Sequence, residues 1–167
     1  VSLSLSALLV AENITAGVEI ALVSGVDVDT GDQLTFRLTD DAIGMFTLDG
    51  DSLRLNGTLD YEGGAQDYTI HIEAEDAGGL IKQSIFTIEV GDVNESPTDL
   101  FFDLGQSVDE NSNIGTVVDR VVALDQDGGE SLTFALADRS DAGFAVDADS
   151  VIITVAANLD FEAVNIY

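Results

Sequence analysis

Acidic residues in this chain are grouped. Asp27 and Asp29 stand two apart, as do Asp60 and Glu62, and Asp125 and Asp127; Asp92, Asn94 and Glu95 form a further short cluster, Asp76 follows Glu75, and Glu12 stands alone. In an extended chain, residues two apart point to the same side, so each pair offers two carboxylates in one direction. Calcium is a hard cation that takes about six to eight oxygen ligands. No single cluster supplies that many, so a calcium site here needs several distant segments brought to one place. Other chemistry is poorly provided for. His71 is the only histidine and there is no cysteine, which leaves a nucleophile without its usual base and rules out a zinc ribbon. Paired carboxylates such as Asp60 and Glu62 serve glycoside hydrolysis in principle. That chemistry also needs a sugar cleft lined with aromatic rings, and there is no tryptophan. The chain is read as a non-enzyme.

The elements that must position these acids are strands. Leu34, Phe36 and Leu38 alternate with polar partners, as do Tyr68, Ile70, Ile72 and Ala74, and Phe86, Ile88 and Val90. A period of two marks strands buried on one face. Turn signals separate the runs, among them Asp49-Gly50-Asp51, Glu62-Gly63-Gly64 and Ala77-Gly78-Gly79. No window carries a helical period, so the fold class is all-β, with the acidic clusters at strand ends and in loops. Asp40, Asp41, Asp49 and Asp51 are read as ordinary turn residues.

The chain also repeats itself. Glu12-Asn13 recurs as Glu110-Asn111, Asp27-Val28-Asp29 as Asp125-Gln126-Asp127, and Leu34-Thr35-Phe36 as Leu132-Thr133-Phe134, each 98 residues on. Leu59-Asp60-Tyr61-Glu62 recurs as Leu159-Asp160-Phe161-Glu162, 100 residues on. This period exceeds the roughly 20–50 residues of a solenoid repeat and suits a whole sandwich domain of about 100 residues. Pro97, the only proline, lies between the two copies. The expected division is therefore a complete repeat over 1–96 and a second repeat over 97–167. Tyr167 matches Tyr68, so the second copy is expected to stop before its last two strands, the counterparts of about 67–76 and 81–91.

Composition narrows the partners. Of 167 residues, 32 are acidic and 5 basic, for a formal net charge of −27. Phosphate binding wants Lys and Arg, so nucleic acid is disfavoured, as is an anionic membrane surface. No stretch is long enough to insert as a spanning helix. Such a charge repels itself in a compact state, and bound divalent cations relieve that repulsion. With 46% hydrophobic residues the chain can still fill a core.

Taken in order, Glu12-Asn13, Asp27-Val28-Asp29, Leu59-Asp60-Tyr61-Glu62, Ala74-Glu75-Asp76 and Asp92-Val93-Asn94-Glu95-Ser96-Pro97 resemble the landmarks of a cadherin repeat. The resemblance covers the whole chain. It implies tandem Greek-key, immunoglobulin-like (cadherin-type) β-sandwiches with Ca2+ at the joint between successive repeats. Carried over residue by residue, the implied ligands are Glu12, Asp60 and Glu62 from the first repeat, Asp92, Asn94 and Glu95 from the linker, and Asp125 and Asp127 from the second. Asp27, Asp29 and Asp76 are implied to face a preceding repeat, and Glu110, Asp160 and Glu162 a following one. The linker departs from the pattern. It is one residue short and carries Glu95 in place of an Asp, which resembles bacterial cadherin-like repeats more than animal ones.

The reading that follows is a calcium-dependent adhesion segment, or a calcium-rigidified spacer, of a large extracellular or cell-surface protein. Its expected partners are other cadherin-like repeats, on the same or a neighbouring chain, and a cell surface or polysaccharide; a homodimer formed by strand exchange is also open. The alternative is a carbohydrate-binding module of a secreted, polysaccharide-associated protein. An aromatic content of 7% gives that alternative few platforms for sugar rings.

Overall fold

The structure is a computed structural model that describes residues 1–29, 31, 33–129, 131–137, 143–147, 151–160 and 162. Tyr167, on which the expected end of the second repeat was placed, lies outside the described residues. The chain divides into two compact units, Val1–Val93 and Asn94–Tyr167.

The first unit contains β1 (Ser2–Leu5), β2 (Leu9–Ala11), β3 (Glu19–Val26), β4 (Thr35–Asp40), β5 (Phe46–Asp49), β6 (Ser52–Leu55), β7 (Asp67–Glu75) and β8 (Ile81–Gly91). They form two four-stranded sheets, ordered β1-β3-β6-β5 and β2-β8-β7-β4. The first segment of chain switches sheets: β1 pairs antiparallel with β3, and β2 pairs parallel with β8. This gives eight strands where about seven are expected of such a sandwich.

The alternation read in the sequence becomes the core. Ile70, Ile72 and Ala74 on β7 and Ile88 on β8 are completely buried. Facing them from the other sheet are Ala21, Val23, Phe46, Leu53 and Leu55, all in the same buried cluster as Ile70, Ile72 and Ile88. The rings of Phe46 and Tyr68 meet edge to face, 5.7 Å apart at 79°, a favoured aromatic geometry. The outward residues of β7 stay polar, and Glu73 takes an ion pair from Arg37 on the neighbouring β4.

The second unit repeats the first sheet. It contains β9 (Asp99–Phe102), β10 (Val117–Leu124), β11 (Phe144–Val146) and β12 (Ile152–Val155), ordered β11-β12-β10-β9. This order matches β5-β6-β3-β1. Even the irregularity is shared: the pairing of β3 with β6 slips between Glu19 and Ala21, and that of β10 with β12 between Val117 and Asp119.

Candidate metal centre

In the first unit the site is assembled around Glu12. β2 ends at Ala11, and the Glu12 amide extends its pairing by donating to the Gly91 carbonyl at 3.1 Å. The side chain then turns inward and is 6% exposed. One carboxylate oxygen accepts the Tyr61 amide at 2.6 Å and the other accepts the Val93 amide at 2.8 Å. These two bonds draw in the flanking acids, because Glu62 follows Tyr61 and Asp92 precedes Val93. Carboxylate oxygens of Glu12, Glu62 and Asp92 accordingly lie within 4.8 Å of one another.

Asp60 behaves differently from its neighbour Glu62. Its Oδ1 accepts the Gly63 amide at 2.7 Å and its carbonyl accepts the Gly64 amide at 2.9 Å. It shapes the loop and is not one of the three converging carboxylates. The loop closes so tightly that a Cβ on Gly64 would lie 2.4 Å from the Asp60 carbonyl oxygen.

In the second unit, Glu95 and Asp127 meet: the Glu95 amide donates to Asp127 Oδ2 at 2.7 Å. Gln126 Nε2 reaches Glu95 Oε2 at 3.2 Å, and the Asp127 amide donates to Asp125 Oδ1 at 3.1 Å. Asp27 and Asp29 fold in the same way, with the Asp29 amide 2.9 Å from Asp27 Oδ1. Asp127 is 9% exposed, and its Oδ1 is buried with no hydrogen-bond partner. Leaving such an oxygen unsatisfied costs about 1–3 kcal/mol, and a cation is the partner that would remove the cost. Asn94 turns its amide nitrogen to the Glu95 carbonyl at 2.8 Å, which leaves its side-chain oxygen to act as a ligand.

Two acidic groups lie elsewhere. Oxygens of Glu110, Asp160 and Glu162 lie within 4.8 Å of one another, all three side chains exposed. Asp76 Oδ1 accepts the amides of Gly78 and Leu80 and so caps its own turn. The turn reading also fits Asp40 and Asp41, which cap the amides of Ala42 and Gly44.

Sequence reasoning missed Asp119. It occupies the position of Ala21 in the repeat and is 5% exposed. Its carboxylate accepts the amides of Leu104 at 2.9 Å, Gln106 at 3.3 Å and Arg120 at 2.7 Å. Burial pushes this carboxyl up, but the amides of Leu104, Arg120, Gln106 and Gly105 together hold it below the ordinary carboxylate range. The signal was an Asp in the apolar phase of Val117-Val118-Asp119-Arg120-Val121.

The donor sets in both units are oxygen only, which suits calcium or magnesium and does not suit softer metals.

Comparison with known proteins agrees with the fold. No protein-family model matches the chain. The mouse cadherin EGF LAG seven-pass G-type receptor 1 is 32% identical over 95% of this chain, which spans 6% of that protein. Among solved structures, mouse cadherin-23 EC22-24 matches with a TM-score of 0.69 at 27% identity, covering 93% of this chain and 52% of that one. Human protocadherin-24 EC1-2 matches with a TM-score of 0.76 at 21% identity, covering 97% of this chain and 80% of that one. The chain spans between 4% and 20% of the length of the curated relatives it matches. Those relatives give no sign of an enzyme and lend no support to the carbohydrate-binding alternative. Among the described residues no helix is long and apolar enough to cross a membrane. The immunoglobulin-like β-sandwich and the run of cadherin relatives together support a cadherin repeat as the unit from which this chain is built.

Proposed function

We propose that the chain is a calcium-rigidified spacer or adhesion segment of a larger extracellular or cell-surface protein. The observation that carries this reading is the convergence of Glu12, Glu62 and Asp92 in the first unit, with the Glu12 carboxylate buried. Neither Glu12 nor Asp92 has a salt-bridge partner among the described residues. Carboxylates held this close repel one another, so the arrangement stores a binding free energy for a divalent cation. The buried, unpartnered oxygen of Asp127 in the second unit supports the same reading.

Calcium is the cation proposed, because it accepts many carboxylate and carbonyl oxygens in flexible geometry. Glu12, Glu62 and Asp92 would hold it in the first unit; Asp125, Asp127, Glu95 and the Asn94 side-chain oxygen are the ligands offered by the second. Asp60 contributes by shaping the loop that carries Glu62. Asp92 belongs to one set and Glu95 to the other, three residues further along. Cation binding by both sets therefore orders the intervening linker and stiffens the chain there. Other cadherin repeats are the proposed partners. The short linker and its Glu95 are the features that favour a bacterial type of repeat.

The test is a calcium titration by calorimetry on metal-stripped protein, repeated with Asp92→Ala and Asp127→Ala. Saturable binding that each substitution weakens supports the reading. Only weak, unsaturating uptake, unchanged by either substitution, would leave a metal-free sandwich spacer in its place.

A further inference from the structure

The turn between β4 and β5 is held in a conformation that its residues resist. Ala42 and Ile43 have φ of 52° and 62°, and Gly44 follows at 81°. L residues rarely enter this left-handed region, and a β-branched one is a genuine outlier there. Packing does not hold Ile43 in place, because its side chain is completely exposed. Hydrogen bonds hold the turn instead. Asp40 Oδ1 accepts the Ala42 amide at 3.1 Å and Asp41 Oδ1 accepts the Gly44 amide at 2.9 Å. From across the loop, Asn56 Nδ2 donates to the Gly44 carbonyl at 2.8 Å, and the Asn56 amide donates to the Met45 carbonyl at 2.8 Å.

Gly57 follows this clamp, and Asn56 is the only asparagine in the chain that precedes a glycine. The packing favours glycine here, since a Cβ on Gly57 would lie 2.6 Å from Met45 Sδ. With no side chain in the way, the Gly57 nitrogen can come close to the Asn56 side chain. The Gly57 amide donates to no acceptor among the described residues, and Asn56 is exposed to water.

We propose that Asn56-Gly57 is a self-modifying site, where water converts Asn56 to aspartate and isoaspartate and thereby releases the turn at 42–45. Base takes the Gly57 amide proton, and the nitrogen attacks Asn56 Cγ. A new Cγ–N bond forms, the Cγ–Nδ2 bond breaks, and Nδ2 leaves as ammonia with the proton that the base gives back. A five-membered imide remains. Water opens it at either carbonyl, returning a hydrogen to the ring nitrogen and leaving a carboxyl group whose proton the ammonia takes up. The net change is amide plus water to carboxylate plus ammonium. Opening at Cγ gives aspartate. Opening at the main-chain carbonyl gives isoaspartate, with one extra carbon in the backbone. Either product replaces a donating amide by a carboxylate that only accepts, so attraction to the Gly44 carbonyl becomes repulsion. No oxidant or cation takes part, and the proposal stands apart from the calcium reading.

The test holds the full chain in excess chelator at mildly acidic and at alkaline pH. Its peptides are then fragmented by electron transfer, which separates aspartate from isoaspartate. Conversion should gather at Asn56, yield both products and quicken as pH rises, because base starts the attack. The consequence is read on Asn56→Asp. Amide hydrogen exchange at Ala42, Gly44 and Met45 should quicken by about fivefold or more, with Ile70 and Ile72 unchanged. An intact Asn56 after other asparagines have converted, a product without isoaspartate, or a rate that ignores pH would overturn the modification. Unchanged exchange in the turn of Asn56→Asp, or equal quickening at Ile70 and Ile72, would overturn the release.

Discussion

Glu12 accepts the backbone amide of Val93 at 2.8 Å, across 81 residues of sequence. With its other oxygen on the Tyr61 amide, one buried side chain fixes the two places where Glu62 and Asp92 leave the fold. Glu12 is thus a structural staple as well as a candidate ligand. Hydrogen bonds to a charged group contribute about 1.5–3 kcal/mol each. Glu12→Ala should therefore destabilise the first unit by about 2–4 kcal/mol in excess chelator, once solvent access to the freed amides is allowed for. Glu12→Gln keeps one accepting oxygen and should lose about half as much. Urea unfolding of parent and variants measures both. Almost no loss from the isosteric Glu12→Gln, beside a large loss from Glu12→Ala, would mean that packing, and not the pair of hydrogen bonds, sets the cost.

Asp127 should respond with opposite signs in the two conditions. Its Oδ1 is buried without a partner while its Oδ2 holds the Glu95 amide. Asp127→Asn keeps one oxygen for Glu95 and removes a buried charge. Without cation it should be neutral or stabilising by up to about 1 kcal/mol. With calcium it should weaken binding by about tenfold or more, since a carboxylate ligand becomes a neutral amide. Thermal unfolding in chelator and calorimetry in calcium give the two signs. Destabilisation in chelator would mean that the charged form is already satisfied.

Much of the fold was legible because alternation is local. The period of two in Tyr68–Ala74 and Phe86–Val90 marked two strands, and they lie at Asp67–Glu75 and Ile81–Gly91. The division of the first segment into β1 and β2 was not legible. It depends on which sheet each half pairs with, and that is a long-range contact. The resemblance grouped Asp60 with Glu62 as ligands, and only the fold adds that an Asp60 oxygen also accepts the Gly63 amide. Repeat position said that Asp119 stands where Ala21 does. It could not say that backbone amides would gather around the charge.

Gly64 offers a way to disturb the site without touching a carboxylate. A Cβ there would meet the Asp60 carbonyl oxygen at 2.4 Å, and backbone does not yield as a flexible side chain does. Gly64→Ala must open the loop that ends at its bond to Asp60. It should cost about 1–3 kcal/mol and weaken calcium binding severalfold with every acid still present. Gly50→Ala, whose added Cβ has open space around it but sits at a φ of +63°, serves as the comparison for backbone strain at a turn outside the two acidic sets. Unchanged calcium affinity in Gly64→Ala would show that the position of Glu62 does not depend on this turn.

Asp119 makes the second unit sensitive to acid. Burial works to raise its pKa, and the four backbone amides outweigh burial and lower it. A group whose pKa is lower folded than unfolded contributes in full above the ordinary carboxylate range of about 4. That contribution disappears as pH falls through the lower native value. Asp119 is flanked by the ion pair of Arg120 with Asp103, which ties the same segment. Acid should therefore free the amides of Leu104 and Gln106 before the sheet itself opens. Hydrogen exchange at these two amides, compared between parent and Asp119→Asn across about pH 2–6, reads this directly. The parent should lose protection below about pH 4, while the variant should start less protected and change little with pH. Parallel pH profiles in the two proteins would mean that Asp119 is not the source of the acid sensitivity.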